Sequence, residues 1–205
     1  MQTVAITGAN GFLGWHVRCA LAASDRKHIS VAVGDAFDLA AAAAALSQAD
    51  RIIHIAGVNR GSETEILDGN VLFATQLTEA LTRAERKPRQ LVFANSIQSG
   101  NETAYGRGKA LAAGILSGAA DATGAEFLDL KLPNLFGEHG RPFYNSVVAT
   151  FCHQLATGNE PVLDRDSELT LLHAQNAADV LTGARDSKEM PLLTTSSTVS
   201  SLPTK

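Results

Sequence analysis

The chain has 205 residues, of which 45% are hydrophobic, 5% aromatic and 19% charged, with a formal net charge of −4. That length suits one well-buried α/β domain and is short for two of ordinary size, and the composition is that of a globular rather than a disordered or fibrous protein. Lysines and arginines are scattered with no basic stripe, which argues against a nucleic-acid partner.

The chain opens on "TVAITG" without a charged leader, and no apolar run reaches membrane-spanning length. The expectation is a cytoplasmic protein with no membrane partner. Cys19 and Cys152 are far apart in ordinary sequence, so neither a disulfide framework nor a Cys/His metal cluster is indicated, and no metal is expected.

Short apolar runs recur along the chain: "TVAIT", "ISVAV", "RIIHIAG", "QLVFA" and "EFLDLKL". Each reads as a strand buried on both faces, and most spacers are long enough for a crossover helix. Such alternation predicts an α/β fold, a Rossmann-type doubly wound parallel sheet with right-handed connections. The alanine-rich "LAAAAAAL" at 39–46 is read as the helix after the second strand, since alanine is the best helix former. From Ser187 the sequence is Ser/Thr-rich with two prolines and no period. Residues 1–186 are therefore expected to form the dinucleotide-binding domain with a small C-terminal substrate region, complete or incomplete, and 187–205 a loosely ordered tail.

After the first strand comes "AITGANGFLGWHV", with Gly8, Gly11 and Gly14 in the turn and Asn10, Phe12 and Leu13 between them. Glycines there permit a tight turn, close approach of backbone to phosphate oxygens, and a helix N-terminus whose free amides favour negative charge. The spacing is G-x-x-G-x-x-G rather than G-x-G-x-x-G. Asp35 follows the second strand at about the distance where an acidic residue binds the adenosine ribose and disfavours a 2′-phosphate. It either does so, favouring NAD, or caps a turn in "GDAFD".

"RIIHIAGVNR" ends in small residues, Ala56 and Gly57, which would let a cofactor cross the carboxyl edge of the sheet. His54, inside this apolar strand, reads as a hydrogen-bonded core histidine rather than a catalytic one. "QLVFANSIQSG" ends with Ser96 and Ser99, each able to donate to a carbonyl at that edge. In "AYGRGKA" Tyr105 and Lys109 are four residues apart, so a helix places them on one face.

Taken together, TGANGFLG, HIAG, the serine after the next long strand and Tyr105-x-x-x-Lys109 resemble the short-chain dehydrogenase/reductase superfamily, in its extended, nucleotide-sugar branch. "HIAGVNR", "GNV", "NSIQS", "PNLFG" and "FYNSVVATFC" are similar, more narrowly, to the reductase domain of the bifunctional UDP-sugar enzymes of capsular and O-antigen polysaccharide synthesis, in the route to UDP-N-acetyl-L-fucosamine. The resemblance runs from about Thr3 to Asp179.

That resemblance implies a reductase using NADP or NAD and a UDP-sugar substrate. Ser96 matches the catalytic serine, Tyr105 the acid/base and Lys109 its partner. Gly8, Gly11 and Gly14 match the cofactor loop, Ala56 and Gly57 the strand end facing the cofactor. Asn70 and the Pro133-Asn134 pair match positions beside nicotinamide and sugar, and Asn145 and Ser146 lie in a segment expected near the substrate, with Asn59 as a further candidate. A free phenol, with pKa ~10, is expected to be lowered by the Lys109 ammonium and a bound pyridinium ring. The resemblance also implies a homodimer through helices around 64–83 and 104–116.

Three departures stand out. Lys131 occupies a position usually held by arginine, Gln175 and Asn176 replace an acidic pair, and "VGDAFD" lacks the basic residue of NADPH-using relatives. The extended family continues into a substrate-covering region and the bifunctional relatives into a zinc-containing cupin domain. Neither follows here, so the chain is either a naturally short reductase or a fragment, and the cupin's metal does not carry over. A nucleotide-sugar epimerase or dehydratase, or a non-catalytic NAD(P)-binding protein, are the alternatives.

Overall fold

A computed structural model describes residues 2–161 and 168–194. Five strands, β1 (Thr3–Thr7), β2 (Lys27–Val31), β3 (Arg51–His54), β4 (Gln90–Ser96) and β5 (Glu126–Leu132), form one parallel sheet in the order β2-β1-β3-β4-β5. Helices α1 (Phe12–Ala23), α2 (Leu39–Gln48), α3 (Glu63–Arg83) and α4 (Ala104–Thr123) make the crossovers. The chain leaves β1 first toward β2 and then returns to β3 on its other side. The crevice at that reversal, outside the carboxyl ends of the strands, is where open α/β sheets bind ligands.

The alternation of side chains along each strand builds two cores. Val4, Ile6, Ile53, Val92, Ala94, Leu130 and Leu132 face α1 and the later helix α6 (Ala174–Thr182). Ala5, Ile52, Leu91 and Phe93 face α2, α3 and α4. A two-residue period with both faces covered is why the strands read as unbroken apolar runs.

Local chemistry sets the helix starts. Ser62 accepts from the Glu65 amide while Glu65 Oε2 accepts from the Ser62 amide at 2.7 Å, a reciprocal cap on α3. The Asp38 carboxylate caps α2 by accepting from Ala41 N at 2.8 Å, and Thr103 caps α4 through Gly106 N at 3.0 Å. The Asp38 cap helps the alanine run of α2 become a helix.

Beyond β5 the chain kinks at Pro133 into a smaller sheet, β6 (Asn134–Phe136), β7 (Thr170–His173) and β8 (Leu193–Thr194), ordered β6-β7-β8. Helix α5 (Val147–Ala156) follows the loop after β6. Part of the expected tail is structured: Ser187–Glu189 forms a 3-10 turn, with Asp186 accepting from the Lys188 amide, and β8 pairs antiparallel with β7. Residues 195–205 lie outside the described residues. Among the described residues no helix is long and apolar enough to cross a membrane.

Candidate active site

The crevice at the switch point has a volume of about 1070 Å³, the size of a small-molecule or cofactor site. Four strand ends build it, together with the loop between β6 and α5. Of the residues singled out from the sequence, Gly8, Asn10, Gly11, Phe12, Leu13, Ala56, Gly57, Asn59, Ser96, Tyr105, Lys109, Pro133, Asn134, Asn145 and Ser146 all line it.

The glycine turn has the shape a pyrophosphate needs. Gly8 has φ 71°, and a Cβ there would come within 2.7 Å of Ala56 N, so only glycine fits between the ends of β1 and β3. A Cβ on Gly14 would meet Gly8 O at 2.1 Å, because α1 leaves directly over the turn. Gly11 is the N-cap of α1 and supplies no side-chain cap. The first amides of the helix are thus left for an anion, with the helix dipole behind them. This cradle fits a dinucleotide.

Gly14 itself is a packing residue and does not line the crevice, and two other predicted contacts lie away from it as well. Asn70 is buried behind Gly57: its Nδ2 donates to Val58 O and Ile66 O, both at 2.7 Å, and its Oδ1 would be 2.8 Å from a Cβ at residue 57. It shapes the loop after β3 from within. Asp35 sits in a 3-10 turn, Gly34–Ala36, whose Gly34 amide and carbonyl are both held by Gln76. This turn follows β2 at the outer strand of the sheet, so Asp35 stands beside the crevice rather than in its wall.

At the end of β4 the chain presents Ala94, Asn95 and Ser96 in succession. Ser96 N donates to Asn95 Oδ1 at 2.8 Å, Asn95 Nδ2 donates to Asp129 Oδ1 at 2.7 Å, and Ser96 Oγ accepts from Gln98 N at 3.1 Å. The serine is therefore fixed by its neighbours. Thr103 starts α4 one residue before Ala104, bringing Tyr105 beside Ser96 on the first turn, and Lys109 follows one turn later. The start of α4 crowds the preceding loop: a Cβ on Gly106 would lie 1.9 Å from Asn101 Oδ1. "AYGRGKA" thus carries a close approach as well as the pair.

Lys109 is 4% exposed, and its Nζ donates to Ala94 O at 2.8 Å while lying 4.5 Å from the centre of the Phe93 ring. Burial lowers its pKa to about 8, against the opposing pull of Asp129. Tyr105 differs from expectation. Its phenol is raised by burial, and the Ser96 side chain pulls it down by less. The ammonium, tied to β4 and 6.0 Å from the centre of the Tyr105 ring, does not lower the phenol in the protein alone.

His54 is the core histidine the sequence reading expected. It is 1% exposed, its Nδ1 lies 2.7 Å from Thr7 Oγ1, and its ring stacks on Phe93. Burial, and secondarily the Lys109 charge, push its pKa down to about 3, so it stays neutral.

Several wall residues are given no role by the sequence motifs. Trp15 and His139 meet with ring centres 4.1 Å apart and planes tilted by 53°, and Gln98, Arg141 and Tyr144 complete the opening. They converge only because the loop 137–146 folds back across the crevice.

The sequence matches the NAD dependent epimerase/dehydratase family over residues 4–190. It is 32% identical over 194 residues to a Pseudomonas aeruginosa protein named UDP-2-acetamido-2,6-beta-L-arabino-hexul-4-ose reductase, covering 90% of this chain and 50% of that one. The crystal structure of the capsular polysaccharide assembling protein CapF from Staphylococcus aureus superposes with a TM-score of 0.76 at 31% identity, over 93% of this chain and 54% of that one. The chain thus spans about half the length of both relatives. The UDP-N-acetylglucosamine 4-epimerase from Bacillus cereus shares the fold, with a TM-score of 0.77 at 19% identity, over 93% of this chain and 73% of that one. With the glycine cradle, the switch-point crevice and the Ser96, Tyr105 and Lys109 cluster in place, the chain belongs to the NAD dependent epimerase/dehydratase family of enzymes.

Proposed function

We propose that the protein is an NAD(P)H-dependent reductase that converts the 4-keto group of a UDP-linked 6-deoxy-N-acetylhexosamine to the alcohol. One observation carries this reading: Ser96, Tyr105 and Lys109, from two different elements, meet in a single crevice beside a cradle that only glycine can form. The likeness to a hexulose reductase over 90% of the chain supports the substrate class.

The residues divide the work. Gly8, Asn10, Gly11, Phe12 and Leu13 hold the pyrophosphate through the turn and helix amides. A reduced nicotinamide held in this crevice would be the source of hydride for the carbonyl carbon. Ser96, already fixed by Asn95, donates a hydrogen bond to the carbonyl oxygen where negative charge develops. Tyr105 gives that oxygen its proton, so the C=O gains one hydride and one proton to become CH–OH. Lys109, tied to Ala94 O, keeps a positive charge at the same edge of the crevice. Asn134, Asn145, Ser146 and Asn59, which line the same crevice, bind the sugar in this reading. The protein works in the cytoplasm as a homodimer through the α3 and α4 faces, on which Leu72 and Leu111 are exposed; light scattering that shows only monomer would contradict that assembly.

The test is stoichiometric. Purified protein incubated with NADH or NADPH and the 4-keto sugar should oxidise one cofactor per sugar. A nucleotide-sugar epimerase would instead interconvert sugars without net cofactor oxidation, and a binding protein would do neither.

A further inference from the structure

Arg60, on the loop between β3 and α3, reaches across the mouth of the crevice without lining it. Its Nε donates to Asn145 Oδ1 at 3.2 Å and its Nη2 to Phe143 O at 3.2 Å, with a further bond to Tyr144 O. The guanidinium also lies 4.3 Å from the centre of the Tyr144 ring, and the Tyr144 hydroxyl donates to Asn59 Oδ1 at 3.2 Å. One side chain on one side of the crevice therefore ties down three consecutive residues from the other.

This arrangement fixes the chemistry of the opening as well as its shape. Arginine has only donors, so the carboxamide of Asn145 must turn its oxygen to Arg60, which leaves its NH2 hydrogens for another acceptor. The Tyr144 hydroxyl, which can donate or accept, bonds Asn59 Oδ1 without imposing that orientation. One wall carboxamide, that of Asn145, is thereby set as a donor, which suits an acceptor-rich ligand such as the hydroxyls, acetamido carbonyl or diphosphate of a nucleotide sugar. Phe143 is held with φ 56°, a left-handed conformation unusual for a bulky residue, and its side chain is 61% exposed. Its backbone stays there between Arg60 and Thr150 Oγ1, which accepts from Phe143 N at 2.9 Å.

We propose that Arg60 is a positioning residue for the sugar-nucleotide end of the crevice, locking Tyr144 and presenting the Asn145 amide hydrogens to substrate. The proposal rests on the reductase reading for its substrate but not for its geometry. It requires the fork of arginine, whose Nε and Nη2 donate from two separate positions to Asn145 Oδ1 and to the 143 and 144 carbonyls, whereas the donors of lysine all radiate from one nitrogen.

Arg60→Ala and Arg60→Lys in the full chain, at an exposed position, leave the core untouched. Both should raise the KM for the 4-keto sugar on the order of tenfold, leaving kcat and the NAD(P)H KM within about twofold. Both should also speed chymotrypsin cleavage after Phe143 and Tyr144, followed by mass spectrometry, and this readout needs no turnover. If the wild type fails to reduce the sugar, the reductase reading falls while the cleavage rates still decide the role of Arg60. Wild-type KM values in Arg60→Lys would assign Arg60 to charge steering and overturn the proposal, as would cleavage unchanged in both variants.

Discussion

The Lys109 ammonium and the Ala94 carbonyl are joined by a 2.8 Å hydrogen bond, and that bond fixes a buried cation beside the residue two before Ser96, on the edge of the sheet that lines the crevice. Because its pKa is lowered to about 8 by burial, the group is an ammonium below that pH and an amine above it. Its charge costs stability below about 8, and the cost fades as pH rises toward the 10.5 of a free lysine.

Activity should therefore be steady through neutrality and fall above about pH 8 with one ionisation. Lys109→Arg should remove that alkaline limb, and Lys109→Met should lower the rate by about 10²-fold or more. A limb at the same pH in Lys109→Arg would assign it to another group.

His54 predicts an acid-side loss of stability. Its folded pKa of about 3 lies below the 6.5 of a free histidine, so between these values the unfolded chain binds a proton that the folded chain refuses. Its contribution is whole above about pH 6.5 and is lost as pH falls toward 3, by up to ~1.4 kcal/mol per pH unit. Urea unfolding of His54→Gln should show a slope shallower by that amount, and an unchanged slope would place the effect elsewhere.

At the glycine turn, Gly14→Ala puts a methyl where Gly8 O stands, with backbone on both sides. It should destabilise by about 1–3 kcal/mol, as overpacking does, and weaken NAD(P)H binding measured by fluorescence titration. The contrast is Ser62→Ala, which removes the α3 cap and should cost about 1 kcal/mol of stability without changing cofactor affinity. Equal cofactor affinity in Gly14→Ala and wild type would remove the turn from the cofactor site.

Asp35 bears on cofactor choice. A carboxylate in the turn after β2 accepts from ribose hydroxyls and repels a 2′-phosphate, so NADH should be the better substrate by kcat/KM. Asp35→Ala should narrow that preference. A preference for NADPH in the wild type would reduce Asp35 to a turn residue.

Where the sequence carries a local signal, it is enough to locate the structure. Strand β4 and the helix of Tyr105 and Lys109 follow from an apolar run and a four-residue spacing, because burial on both sheet faces and helical geometry act within a few residues. The glycine turn is legible for the same reason. By contrast β2 begins at Lys27 and ends at Val31, two residues earlier than "ISVAV" implies; register with β1 decides its limits. Arg60, Arg141 and Tyr144 meet through a loop that crosses the crevice from more than eighty residues away, and no spacing along the chain encodes that. The raised Tyr105 phenol was also invisible, since burial and the direction of the Lys109 nitrogen arise only on folding.

The most direct measurement compares wild type with Tyr105→Phe in a single turnover of 4-keto sugar and reduced cofactor, with cofactor binding measured alongside. The wild type should give one equivalent of oxidised cofactor and a 4-hydroxyl product, and Tyr105→Phe should react about 10²-fold or more slowly with cofactor affinity unchanged. Turnover at the wild-type rate in Tyr105→Phe would contradict Tyr105 as the proton donor.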